Sequence, residues 1–133
     1  MNRGVALAFA ALAAGGLGLT CGDQGPVAGI LHVHLVPQSI PGIGGEGAVL
    51  FYLTGPRPPT AARAPAGFRL FTDTLGRDTT KFIVTGPLAA GPILEIGVEN
   101  MRDVGSYVAT VHQLAGLDYQ VRNPQSYTLT ITR

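Results

Sequence analysis

Apolar and polar residues alternate with a period of two along most of this chain. The pattern opens at Ile30-Leu31-His32-Val33-His34-Leu35-Val36, where Leu31, Val33 and Leu35 face away from the two histidines. Successive side chains of a strand point to opposite faces, so the pattern predicts a half-buried β-strand. Residues 48–54 (AVLFYLT) are apolar on both faces and predict a central strand. Residues 68–72 and 80–85 flank residues 73–78, which read as a hairpin loop. Residues 93–98, 107–114 and 127–132 bring the predicted strands to seven. Turns rich in Gly, Pro, Asn and Asp separate them, and no long stretch after residue 20 shows clean helical spacing. Short strands at such intervals predict an all-β fold, an antiparallel sandwich in preference to a βαβ arrangement. Two linkers interrupt the series. Residues 37–47 hold Pro41 and a cluster of glycines, and residues 55–67 hold Pro56, Pro58, Pro59 and Pro65.

The opening of the chain is patterned differently. Asn2-Arg3 is followed by residues 4–20 (GVALAFAALAAGGLGLT), which carry no charge. A positive start, a short apolar run and small residues before a break describe a secretory signal peptide. The run is shorter than the roughly 20 apolar residues of a spanning helix, and Gly15, Gly16 and Gly18 weaken it as a helix. A retained N-terminal anchor is the alternative. The break falls at Cys21, the only cysteine, which has no partner for an internal disulfide.

The run Leu17-Gly18-Leu19-Thr20-Cys21-Gly22-Asp23 resembles the lipobox of bacterial lipoproteins. That resemblance implies that residues 1–20 are removed and that Cys21 becomes the first residue, carrying diacylglycerol. The chain then divides into a signal peptide (1–20), a flexible tether (21–28) and a β-sandwich domain (29–133). Several acyl chains, at about 0.8 kcal/mol per buried methylene, make such an anchor nearly permanent. The membrane, reached through the N-terminal lipid, is then the first partner, and the bacterial cell envelope the location. Gly22, where aspartate signals inner-membrane retention, implies the outer membrane. The lipid is the favoured reading; an ordinary signal peptide followed by an incidental free thiol is the alternative.

A second resemblance lies further on. Leu94-x-Ile96 followed by Asp103-Val104-Gly105-Ser106-Tyr107-Val108-Ala109 resembles the passage between two strands of immunoglobulin-like domains, where Asp-x-Gly-x-Tyr precedes a core cysteine. It implies that Tyr107 returns a hydrogen bond to the backbone as a tyrosine corner, with Asp103 and Gly105 as its structural companions. Ala109 stands where that family has cysteine, and residues 127–132 become the last strand. The chain has no tryptophan, so the family's usual core pin is missing.

Charge narrows the partners. Residues 21–133 carry eight basic and eight acidic side chains. No basic stripe is present to neutralise phosphates, which argues against nucleic acid, and no polybasic patch to hold anionic lipid. Partners are therefore expected among envelope proteins or glycans.

Catalytic equipment is sparse. The chain has no Gly-x-Ser-x-Gly elbow, no phosphate-binding glycine loop and no pair of carboxylates whose spacing suggests glycosidase work. No enzyme activity and no cofactor are expected. His32 and His34 share a strand face and are the weak metal candidates, requiring His112 or a carboxylate to close a site. Solvated side chains on an open sheet face account for both histidines without a metal, and that is the favoured reading. Tyr52 and Tyr119 are the candidates for sugar stacking. Pro56-Arg57-Pro58-Pro59 reads as a stiff surface loop or a polyproline ligand. The leading expectation is a non-catalytic binding or structural module; the alternatives are a carbohydrate-binding module and a metal-binding periplasmic factor.

Overall fold

The computed structural model describes residues 25–38 and 46–133. Residues 1–20, Cys21, the first half of the tether (21–24) and residues 39–45 of the 37–47 linker lie outside the described residues. Nine strands form two antiparallel sheets. They are β1 (Gly29–Pro37), β2 (Glu46–Thr54), β3 (Ala61–Arg63), β4 (Arg69–Thr74), β5 (Thr79–Leu88), β6 (Gly91–Val98), β7 (Val108–Gly116), β8 (Val121–Arg122) and β9 (Tyr127–Thr132). One sheet has the order β3-β6-β1-β9 and the other β4-β5-β2-β7-β8. The all-β sandwich expected from the alternation is therefore present. No helix among the described residues is long and apolar enough to cross a membrane.

The inward faces are those the alternation marks. Leu31, Val33 and Leu35 of β1 and Val49, Phe51 and Leu53 of β2 are buried, as are Phe82 and Val84 of β5 and Ile96 and Val98 of β6. Burial of each such side chain contributes about 1.5–3 kcal/mol. With no cysteine pair or tryptophan to pin the centre, Phe51 and Phe82 face each other across β2 and β5, ring centroids 5.4 Å apart. The strand predicted to be central, β2, is central. Its outward residues Leu50 and Tyr52 are half-buried by side chains of neighbouring strands rather than covered by a second layer.

Two strands were not expected, and both are very short. β3 lies inside the proline-rich 55–67 segment and pairs with β6, with Ala62 opposite Ile96. Thr60 N–H donates to the Gly97 carbonyl and leads it in. Proline cannot donate to a ladder, so Pro59 and Pro65 confine β3 to three residues at a sheet edge. That segment is a docked edge and not a free linker. β8 pairs only Val121 and Arg122, with Ala115 and Leu114.

Residues 101–106, with the Asp-x-Gly-x-Tyr motif, form a 3-10 turn, and the Asn100 side chain caps it by accepting from Arg102 N–H. Tyr107 follows, only 7% exposed. Its hydroxyl donates to the Arg57 carbonyl, 3.2 Å away in the segment after β2. The expected hydrogen bond to backbone is present, but its acceptor is fifty residues upstream instead of a few. Gly105 has no positive φ, and a Cβ there would meet nothing within 4 Å. The glycine that the corner needs is Gly55, whose Cβ would fall inside the Tyr107 ring.

Candidate functional site

Among the described residues, β7 and β9 approach each other without pairing, and a local sequence event separates their ladders. After Arg122 the chain would continue beside β7, but Asn123-Pro124 intervenes. Pro124 has no N–H for the ladder, and the Asn123 side chain accepts from Gln125 N–H at 3.0 Å, closing a 3-10 turn over Pro124–Ser126. The chain then crosses to the other sheet, where β9 pairs with β1, Ile131 opposite Val33. Among the described residues, nothing pairs with residues 108–113 of β7 on the side away from β2. β9, the last strand, therefore belongs to the sheet opposite β7.

The space between β7 and β9 is a groove of about 710 Å³. Ala109, Val111 and Leu129 supply apolar lining, and Gln38, Thr110 and Thr128 are among its polar groups. Gln38 Nε2 donates to Thr128 Oγ1 at 2.7 Å, and Gln38 N–H donates to the Ser126 carbonyl at 2.9 Å. These bonds tie the end of β1 to the groove's far end. No lining residue is an Asp, Glu, Lys or Arg.

A β-bulge shapes one wall. Leu50 pairs with Gln113 and Phe51 with Val111, so His112 is the extra residue. A bulge breaks the alternation and re-aims side chains; His112 and Gln113 are both exposed as a result. The His112 ring meets the Tyr52 ring edge-on at 5.2 Å between centroids. Tyr52, chosen from sequence as a sugar-stacking candidate, is thus half-buried against a residue of the groove wall.

The other sequence candidates are dispersed. Tyr119 sits in the tight turn between β7 and β8, 92% exposed, with a φ of +62°. Its N–H donates to the Gly116 carbonyl at 3.0 Å and the Asp118 carboxylate accepts from Gln120 N–H at 3.1 Å. Such a left-handed position is ordinarily taken by glycine. His32 and His34 do share the outer face of β1, with ring centroids 6.4 Å apart. His32 lies 3.9 Å from Glu95, and His34 Nε2 is 2.9 Å from Thr132 Oγ1. His112 cannot close a site with them, because β1 pairs with β6 and β9 and not with β7. The expectation of that closing ligand is therefore corrected. Among the described residues no group of three His, Cys, Asp or Glu side chains is placed to hold a metal. His32 and Glu95, with Arg63, Pro65 and Pro92, line a second hollow of about 400 Å³ on that face.

Pro56-Arg57-Pro58-Pro59 is anchored. Arg57 forms an ion pair with Glu99, which raises the guanidinium pKa above its ordinary value, first through the hydrogen bond and then through charge attraction. Both side chains are exposed, so the pair steadies the loop more than it stabilises the fold. Burial raises the Tyr107 hydroxyl above the usual tyrosine range, with Asp103 and Glu99 adding to the shift and Arg57 opposing it.

The sequence reading missed the groove residues Gln38, Thr110 and Thr128. The available signal was Asn123-Pro124, a ladder-breaking pair directly ahead of an alternating strand.

Comparison of the chain with protein-family models, curated proteins and solved structures returned no match.

Proposed function

We propose that this protein is a non-catalytic recognition module of the bacterial cell envelope, held to the membrane by lipid on Cys21. Its binding surface in this reading is the groove between β7 and β9. The uncharged groove supports this reading most directly, because it combines apolar lining with a few polar side chains, the usual make-up of a binding cleft. The lipobox resemblance of residues 17–23 supports the anchor and, with it, the envelope location. The immunoglobulin-like reading of the sandwich rests on the Asp103–Tyr107 motif.

The test joins both halves. Native protein should carry the mass of a diacylated or triacylated chain beginning at Cys21, and Cys21→Ala should abolish it. Immobilised peptidoglycan and solubilised envelope polypeptides should retain the wild-type protein. Thr110→Arg, which puts a charge into the groove from an exposed position, should weaken retention at least tenfold. Equal retention of both forms, or hydrolytic turnover abolished by one carboxylate substitution, defeats the reading.

A second reading, carbohydrate recognition, is favoured by Tyr119. An aromatic side chain that is 92% exposed on a left-handed backbone is an expensive way to make a turn. Residues held in sparsely populated conformations cluster at functional sites. A glycan array read with Tyr119→Gly and Tyr52→Ala tests it; binding unchanged by either variant removes it.

A further inference from the structure

We infer that His32 and His34 form a bidentate site for a divalent late transition-metal ion, copper(II) above all, on the outer face of β1. The inference goes beyond the recognition reading and does not depend on it.

Residues two apart on a strand share a face and stand about 6.6 Å apart along it. β1 is paired with β6 on one side and with β9 on the other, so two ladders fix that spacing before any ion arrives. The imidazole centroids are 6.4 Å apart, with the ring planes at 54°. Two imidazoles bound side by side to one ion, through metal–nitrogen bonds of about 2.0 Å, have centroids roughly 5 Å apart. Rotation of two half-buried side chains covers the difference, and the backbone need not move.

The ring nitrogens are already divided between two tasks. His32 Nδ1 lies 3.9 Å from the Glu95 carboxylate, and His34 Nε2 is 2.9 Å from Thr132 Oγ1. Among the described residues no partner holds His32 Nε2 or His34 Nδ1. A histidine that ligates a metal ordinarily has its other ring nitrogen held by a polar neighbour, which fixes the tautomer and aims the ring. Glu95 and Thr132 supply those neighbours from the strands on either side, both directly opposite His32.

The donor set selects the ion. Imidazole suits copper, nickel and zinc, and for a given nitrogen site affinity peaks at copper(II). No third side chain among the described residues is placed to join the pair. None is needed, because water completes the set, and the hollow of about 400 Å³ beside His32 admits it. The Glu95 carboxylate offsets part of the ion's charge; Arg63, opposite Glu95 on β3, opposes it. Calcium and magnesium take oxygen ligands, and this face offers them one carboxylate.

The test titrates the purified full chain in detergent with copper(II), followed by calorimetry and electron paramagnetic resonance. One ion should bind per chain, with a signal from two imidazole nitrogens. Nickel(II) should bind more weakly and magnesium not at all. His32→Ala and His34→Ala should each weaken copper binding at least tenfold. His112→Ala, on the opposite sheet, should change it less than twofold, and Thr110→Arg likewise. Thermal melting of each metal-free variant shows that it folds. Glu95→Gln should weaken binding at least threefold by releasing the His32 ring; unchanged affinity overturns the part assigned to Glu95. Failure to bind one ion per chain overturns the inference, as does binding that survives loss of both His32 and His34. A signal from a single imidazole, or an equal loss in His112→Ala, overturns it as well. The recognition reading fails by a separate observation, retention on envelope material that Thr110→Arg does not alter.

Discussion

Two tyrosines bracket β7, and they are held in opposite ways. Tyr107, at its start, is 7% exposed, in extended backbone, with its ring against Gly55 and its hydroxyl bonded to the Arg57 carbonyl. Tyr119, past its end, is 92% exposed with a φ of +62°. The first joins the segment after β2 to the start of β7, and everything around it is built to receive it. The second has an unfavourable backbone and no burial to offset it. A side chain that lowers the energy of the fold needs no other reason to be present. One that raises it does, and the contrast separates a structural tyrosine from a candidate functional one.

The contrast breaks most severely at Gly55. A valine there occupies the volume of the Tyr107 ring, and overpacking of this kind should cost about 3 kcal/mol. Urea unfolding measures the loss, and combining Gly55→Val with Tyr107→Ala should restore part of it, since contacting positions are coupled. A smaller effect is expected from Tyr107→Phe, about 1 kcal/mol for the lost hydroxyl bond. That variant has a pH signature. The folded state raises the Tyr107 pKa above the ordinary value of about 10, so its stabilisation is complete below pH 10 and falls as pH rises through the folded value. Melting followed from pH 9 upward should show an alkaline decline in wild type that is reduced in Tyr107→Phe. The smallest effect has the opposite sign. Tyr119→Gly should stabilise by about 0.5 kcal/mol, because relief of the left-handed strain slightly exceeds glycine's greater unfolded-state freedom. A clear destabilisation would mean that the Tyr119 ring supports the fold, and the contrast would collapse.

The same distinction explains what was legible in the sequence. Alternation reports which side chains of a strand share a face, so β9 was readable to its end residues and β2 as a central strand. Alternation does not report which strands are neighbours. His112 was therefore grouped with His32 and His34, although the strands that carry them belong to different sheets. β3 and β8, at three and two residues, are too short to show a period. The corner motif pointed to the right tyrosine, but Gly55, which makes room for it, lies far upstream and carries no local signal. The groove was unreadable for a related reason. Asn123-Pro124 marks a break, but nothing local dictates that the strand after it crosses to the opposite sheet.

The partnership of β1 with β9 also bears on how the molecule is made. His34 and Thr132 meet across 98 positions of sequence, and closing a loop of that size costs roughly 4 kcal/mol beyond a fixed term. A chain emerging from the ribosome N-terminus first has β1 long before it has β9, so the four-stranded sheet stays unfinished until β9 is made. Until then β1 is held on one side only, by β6, and removal of β9 would leave its other edge unpaired.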